Sequence, residues 1–401
     1  MFTAVTTHSS EAALPSVVDV VVIGAGIVGA GCALALTRAG LTVAVLDAGP
    51  IAGGTTGAGE GNLLVSDKPP GPELQLALFS LRCWAEAAEY VGELTGLAAG
   101  GFELESKGGL MVAADQAALS ALGPLAAGQR AAGVDAVAVR AADLRDHEPH
   151  LAGDLAGGVL YPQDAQLQPM LATARLLAAA RRTGASVHPR SAVTGLLRSG
   201  DRVTGVRTAR GSVAAGSVIN AAGTWGGSVA ALAGVSVPVL PRRGIILVTQ
   251  PLPAVVRHKV YAAEYVSDVA SEDPGLESSA VVEGTPSGTI LIGASRERVG
   301  FDPAMPLPVI RRLAGQAVRM FPVLAQARVL RTYRGYRPYC PDHLPVIGPD
   351  PRAPGLVHAC GHEGSGIGLA AGTGVLLAQL LTGVTPQIDL AAFRPERFAA
   401  A

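Results

Sequence analysis

The 401-residue chain is short of charge. Asp, Glu, Lys and Arg make up only 16% of it, and the net charge is −1. A balance so close to neutral offers no basic field to nucleic acid and no polybasic patch to anionic lipid. Cysteine is scarce too: Cys32, Cys83, Cys340 and Cys360 are scattered and form no CxxC pair. That spacing argues against a disulfide framework, a zinc site or an iron–sulfur centre, so no metal is expected, and the expected compartment is a reducing cytoplasm. No Lys or Arg precedes Arg38, so the apolar run from Ala12 to Leu36 lacks the basic start of a secretory signal, and Asp19 interrupts it. The later run Leu369 to Leu381 falls short of the roughly 20 residues that span a bilayer. No internal repeat or long low-complexity linker is evident. The expectation is a soluble protein whose first sixteen residues or so form a flexible tail.

What is present is apolar. Hydrophobic residues make up 49% of the chain, as in α/β proteins with buried parallel strands, and the length calls for two lobes. DVVVIGAG (19–26) reads as a buried strand entering a tight turn, 27–39 as a helix and 41–46 as a second buried strand, together a βαβ unit. Residues 73–97 have helical spacing, with Leu74, Leu78, Leu81, Ala85, Ala88 and Val91 on one face. Further strands are expected at 107–114, 186–188, 203–208, 217–222, 244–249, 280–283, 289–293 and 356–359. Further helices are expected at 117–132, at 170–183 behind Pro169, and at 309–320 and 369–381. Strands and helices alternate at both ends around a strand-rich middle. The expected architecture is α/β with an α+β insertion: a Rossmann-like nucleotide-binding domain interrupted by a mixed or antiparallel sheet domain that holds substrate. The expected pieces are 17–95, 151–226 and 335–401 for the first domain, and 96–150 and 227–334 for the second.

Gly24-Ala-Gly26-Ile27-Val28-Gly29 sits where a dinucleotide fingerprint belongs. Gly24 allows the turn, Gly26 admits a pyrophosphate to the backbone, and Gly29 lets helix pack on strand. The phosphates would meet free N–H groups at the helix start. Asp47 ends the second strand, placed for a ribose hydroxyl. A glycine-rich loop follows, GGTTGAGEGN (53–62). It would let a second backbone segment wrap a long cofactor, with the hydroxyls of Thr55 and Thr56 reaching phosphate oxygens. NAAGTW (220–225) is a strand ending in a small-residue turn that admits a cofactor closely. GHEGSGIG (361–368) joins a strand to the last helix, again with backbone N–H groups and a helix start suited to negative charge.

These motifs, with GYRPYCPDHLPVIG (335–348), resemble in order the landmarks of the FAD-dependent amino-acid oxidase superfamily, which includes D-amino-acid, glycine and sarcosine oxidases. EGTPSGTILIGASRERVGFD (283–302) and GHEGSGIGLA (361–370) are similar to the flavin subunits of bacterial proline and hydroxyproline dehydrogenases and of cyanide-forming glycine dehydrogenase. The resemblance implies that Arg337 binds the substrate carboxylate, as a planar fork suits. It puts FAD along Gly24 to Gly29, at Asp47 and Ala48, and along Gly54, Thr55, Thr56, Gly59, Glu60, Gly61 and Asn62. It also puts FAD at Val193, at Ala221, Ala222, Gly223 and Trp225, and at Gly364, Ser365, Gly366 and Ile367. Asp47 stands where these enzymes usually have Glu. Gly335 stands where monomeric sarcosine oxidases attach flavin through Cys, so FAD is expected to be non-covalent, with Cys340 a packing residue. Glu60 is unusual among the glycines, and its ordinary reading is a solvated side chain. His362 and Glu363 are candidates for the substrate side, as are Tyr261, Tyr265 and Arg296 from the inserted domain.

The implied reaction oxidises the C–N bond of a small amino acid, by hydride transfer to flavin N5, to an imine. Proline, hydroxyproline or another secondary amino acid is the first expectation, with glycine, sarcosine or an opine as alternatives. Two other readings stay open. One is oxidation of a 2-hydroxy acid, which would need His362 as base. The other is a flavin subunit that depends on partner chains, in a hetero-oligomer with electron-transfer subunits or a homo-oligomer.

Overall fold

The computed structural model describes residues 13–398. The expected tail falls mostly outside that range. Of its last four residues, Leu14 packs against a core cluster and the Ser16 carbonyl accepts from Ala214 N at 3.0 Å, so these are tied down.

Buried runs on both faces make parallel strands, and the first sheet is built from them. The strand β1 (Val17–Ile23) pairs in parallel with β2 (Val43–Leu46) on one side and with Gly211–Asn220 on the other. Ala185–His188 extends the sheet beyond β2, and Leu356–Cys360 extends it beyond Gly211–Asn220, all in parallel. An antiparallel strand, Val346–Pro349, and the hairpin Val193–Ser199/Arg202–Thr208 complete eight strands. The helix α1 (Ile27–Arg38) joins β1 to β2. Strand order reverses between β1 and Gly211–Asn220, and a ligand crevice opens at such a switch point, at the carboxyl ends of the strands.

The second sheet also has eight strands, in the order Val329–Tyr339, Leu240–Thr249, Ile290–Arg296, Glu277–Gly284, Lys259–Ala262, Gly109–Ala113, Gly157–Tyr161 and Val137–Arg140. It is antiparallel except where Lys259–Ala262 meets Gly109–Ala113. Two expected domain limits shift accordingly. Gly157–Tyr161 pairs with Gly109–Ala113, so the second sheet's share extends past residue 150. The strand Val329–Tyr339 runs unbroken across residue 335.

The helix α2 (Pro72–Thr95) starts on Pro72 and ends at Gly96, which has φ 72°. Its buried face is rotated from the expected one. Leu74, Ala88 and Val91 are buried, but Ala85 is exposed, and Leu76, Ala77, Phe79, Cys83, Trp84 and Ala87 do the packing. The closing helix, the turn Ala98–Gly101 and the helix Pro169–Arg182 all pack on it, so the apolar stripe is wider than a single-face count suggests. The closing helix, Gly366–Leu381, packs against α1 and α2. With the turn before it, it is long and apolar enough to cross a membrane by length and composition, yet most of it is buried in this core. Small residues set the approach: a Cβ on Gly374 would lie 2.5 Å from the Gly31 carbonyl oxygen.

Candidate active site

A cleft of about 730 Å³ runs along the carboxyl ends of the first sheet and under the second. Its floor is made by turns that glycine permits. Gly24 has φ 114°, and a Cβ there would come to 2.3 Å from the Ala221 carbonyl oxygen, so the turns after β1 and after Gly211–Asn220 touch at the switch point. Gly29 does not line the cleft. A Cβ on it would meet the Gly24 carbonyl oxygen at 2.0 Å, and its role is to seat α1 on the turn.

Two helix starts open onto the cleft, α1 through Gly26, Ile27 and Val28, and the closing helix through Gly364, Gly366 and Ile367. Neither start is capped by a side chain at its N-cap residue, and neither carries an acid in its first turn. Both therefore present positive ends of helix dipoles to whatever occupies the cleft. At the far end Asp47 is already engaged: Oδ2 accepts from Ala25 N at 2.6 Å and Oδ1 from Gly49 N at 2.7 Å. Those bonds fix the carboxylate and leave it capacity to accept a hydroxyl. Ala48, Val193, Ala222 and Gly223 line the same stretch, and Trp225, 47% exposed, stacks on Phe301 at 5.6 Å between ring centroids.

The glycine-rich loop lies in the cleft through Gly54, Thr55, Thr56, Gly59, Glu60 and Asn62. Its hydroxyls are not simply free for phosphate. Thr56 Oγ1 accepts from Ile27 N at 3.0 Å, and Thr55 Oγ1 donates to the Tyr336 carbonyl at 2.7 Å. Thr224 Oγ1 donates to that same carbonyl at 2.6 Å. The threonines thus brace three segments together. Gly61 lies outside the cleft with φ 119°, against the Leu167 carbonyl. Glu60 is 8% exposed, so the solvated reading fails.

Arg337 lies in the cleft on the strand Val329–Tyr339. Gly244, its neighbour on the adjacent strand, makes the room: a Cβ there would be 2.2 Å from Arg337 Nη1. Nη1 donates to the Ser295 carbonyl at 2.9 Å, and among the described residues Arg337 has no carboxylate partner within ion-pair distance. Its pKa is pulled down to about 10, first by burial and then by nearby Arg296. Burying a cation without a counter-charge costs free energy that an incoming anion would recover. Tyr265 also lines the cleft, with the Arg296 guanidinium 4.4 Å from its ring centroid. Arg296 itself stands behind that ring rather than on the cleft wall.

Three expected residues sit elsewhere or do other work. Tyr261 is fully buried and turned away, its hydroxyl on Ser66 and, at 3.2 Å, on Asp164. Its ring packs 5.6 Å from that of Tyr265, which stands on the cleft wall where Tyr261 does not. Ser365 faces a small polar cavity beside the cleft, with Asp67 and Lys68. His362 lines the cleft, but Nε2 is 3.2 Å from Thr373 Oγ1, and burial holds its pKa down to about 3. It is a neutral imidazole and a weak base.

Sequence reasoning missed the arginine that holds Glu363. Arg242, 1% exposed, binds Glu363 Oε1 at 2.6 Å and Glu277 Oε2 at 3.0 Å, while His343 Nδ1 lies 3.0 Å from Glu363 Oε2. Both oxygens of Glu363 are therefore occupied, and its part in the cleft is to hold the 361–364 turn. The signal was available: two adjacent arginines inside the apolar strand Leu240–Thr249 must be paired wherever they are buried. All four cysteines are buried and none lines the cleft, Cys340 included, which packs under Gly361.

Comparison with known proteins bears directly on this cleft. The family described as FAD dependent oxidoreductase (DAO) matches residues 19–380. The hydrogen cyanide synthase subunit HcnC of Pseudomonas aeruginosa is 36% identical over 64% of this chain and 58% of its own length. Human mitochondrial sarcosine dehydrogenase is 29% identical over 99% of the chain and 43% of its own length. The chain thus spans a little over half of the length of the HcnC proteins and less of the dehydrogenase. In three dimensions it is similar to glycine oxidase from Geobacillus kaustophilus, with a TM-score of 0.86, 26% identity, and 96% and 99% of the two chains covered. The fold also matches L-proline dehydrogenase from P. horikoshii, with a TM-score of 0.86, 24% identity and the same coverage.

Proposed function

Because this chain belongs to the FAD dependent oxidoreductase (DAO) family, we propose that it oxidises the C–N bond of a small secondary amino acid, of which proline and hydroxyproline are the first candidates. The observation that carries the reading is Arg337, a cleft-lining guanidinium with no carboxylate partner among the described residues. The residues present fit FAD. Two helix starts on the cleft wall suit the pyrophosphate and the electron-rich end of the flavin, and Asp47 has acceptor capacity for a ribose hydroxyl. When bound, FAD supplies the hydride acceptor, and the protein supplies orientation and electrostatics.

The chain's own residues do the following. Arg337 holds the substrate carboxylate by two parallel hydrogen bonds, which fixes the α-carbon. Tyr265 walls the site, and Glu363, locked by Arg242, keeps the turn that carries Gly364 rigid. The lack of a cysteine on the cleft wall supports non-covalent FAD. Oxidation of a 2-hydroxy acid is less well supported, because a histidine with a pKa of about 3 is a poor base. The buried thiols support a reducing compartment, the cytoplasm. HcnC is a subunit by name, and a hetero-oligomer is proposed here by analogy.

The test is anaerobic. The flavin-loaded protein is mixed separately with D- and L-proline, hydroxyproline, glycine, sarcosine and 2-hydroxy acids. Bleaching of the visible band by a secondary amino acid supports the reading, and bleaching by a hydroxy acid alone overturns it. Air is then readmitted, and re-oxidation with peroxide release separates an oxidase from a chain that needs partner subunits as acceptors.

A further inference from the structure

Glycines flank Glu60 in sequence, yet its carboxylate is carried inside. Oε2 accepts from Asn62 Nδ2 at 3.2 Å and lies 3.9 Å from Lys259 Nζ. Oε1 is buried without a hydrogen-bond partner and packs on Gly293, where a Cβ would come to 2.1 Å from it. A carboxylate stripped of water with one bare oxygen is costly, and a structural role would normally satisfy both oxygens.

Lys259 does not need Glu60. It is 1% exposed and pairs with Glu283 Oε2 at 2.6 Å, and it also donates to Asn62 Oδ1. Its ammonium lies 3.9 Å from Glu60 Oε2, beyond hydrogen-bond distance. On the cleft side stand Arg337 and Tyr265, with Tyr333 close by. The cleft thus presents one cation without a carboxylate partner and one incompletely paired anion. That is the complement of a zwitterion.

We propose that Glu60 receives the substrate's ammonium group through a charge-assisted hydrogen bond, while Arg337 holds the carboxylate. This rests on the amino-acid reading given above. Lys259 acts through Glu60 as a positioning residue. A 2-hydroxy acid offers no cation and would leave Glu60 unpaired, which builds selection against it into the site.

The experiment uses flavin-loaded wild type and Glu60→Gln. The ligands are the amino acid that bleaches the flavin in the panel and the carboxylate of the same skeleton with CH2 in place of the amine. Affinity is read from the perturbed flavin spectrum or from saturation of anaerobic bleaching, and flavin content is measured alongside. In Glu60→Gln the amino acid should bind about tenfold or more weakly, the size of a lost charged hydrogen bond. Bleaching at subsaturating amino acid should slow in proportion to the lost affinity. The carboxylate analogue should bind within about twofold of wild type, within the scatter of a surface-level change, with flavin content unchanged. Equal weakening of both ligands, or of neither, overturns the proposal. If Glu60→Gln does not hold FAD, the wild type alone decides: equal affinity for amino acid and analogue means no ammonium site. If no amino acid bleaches the flavin at all, the amino-acid reading falls first and takes this one with it.

Discussion

The amide of Ile27 donates to the hydroxyl of Thr56 at 3.0 Å, across 29 residues of chain. The first turn of α1 is thereby joined to the glycine-rich loop, and the loop's position becomes part of the cofactor cradle. Thr56→Val keeps the shape and leaves a buried N–H bare, at a cost of about 1–3 kcal/mol. We expect a lower thermal midpoint and a lower flavin content, both restored by Thr56→Ser. Unchanged values in Thr56→Val would show that the bond is not a brace.

Arg337→Met should raise the KM for the amino acid far more than it alters flavin content, because the guanidinium is spare in the protein's own structure. Gly244→Ala tests the same point from the neighbouring strand. Its Cβ would stand 2.2 Å from Nη1 and push the fork off its axis. Both variants should fall in kcat/KM, by roughly tenfold or more for a lost charged hydrogen bond. Steady-state kinetics with flavin occupancy measured in parallel decides.

His362 sets a pH dependence with a definite sign. Burial depresses its pKa from 6.5 to about 3, so between those values the unfolded chain binds a proton that the folded protein does not. Its stabilising contribution is present above pH 6.5 and is lost as pH falls toward 3. From pH 7 to pH 5 the loss approaches about 2 kcal/mol, at 1.36 kcal/mol per unit below 6.5. Urea midpoints at the two pH values should show it, and His362→Gln should flatten the difference. Turnover, in contrast, should show no inflection from this group between pH 5 and 8.

Arg242 and Glu363 form a buried pair at 2.6 Å. Breaking it from either side should cost about 3–5 kcal/mol, because one charge stays behind unpaired. Arg242→Met with Glu363→Gln should cost less than the sum of the two single changes, and a double-mutant cycle in urea measures the coupling.

The cradle was legible because its signals are local. Gly24, Gly26, Gly29 and Asp47 act within one βαβ unit, and their spacing alone assigns them to turn, approach, packing and strand end. Arg337 was legible only through resemblance, since nothing in its neighbours says that it lacks a partner. Relations across the second sheet were not legible. Glu363 meets Arg242 across 121 residues, and Glu60 meets Lys259 across 199. Tyr261 was misplaced because only the packed structure shows Tyr265 on the cleft wall with Tyr261 against it and off that wall. The strand Val329–Tyr339 was overlooked for a related reason. Three arginines and exposed Val329 and Leu330 give it the look of surface, and only pairing with Leu240–Thr249 reveals a ladder.

The Tyr336 carbonyl accepts from both Thr55 and Thr224, and so closes the second sheet onto two turns of the first. An acceptor that belongs to the main chain is out of reach of substitution at its own position. The side chain at 336 answers instead to the 301–302 loop, where its hydroxyl donates to the Phe301 and Asp302 carbonyls, while the joint's demands fall on positions 55 and 224, far away in sequence. A survey of natural variants should find this joint recorded as two hydroxyls, at positions 55 and 224.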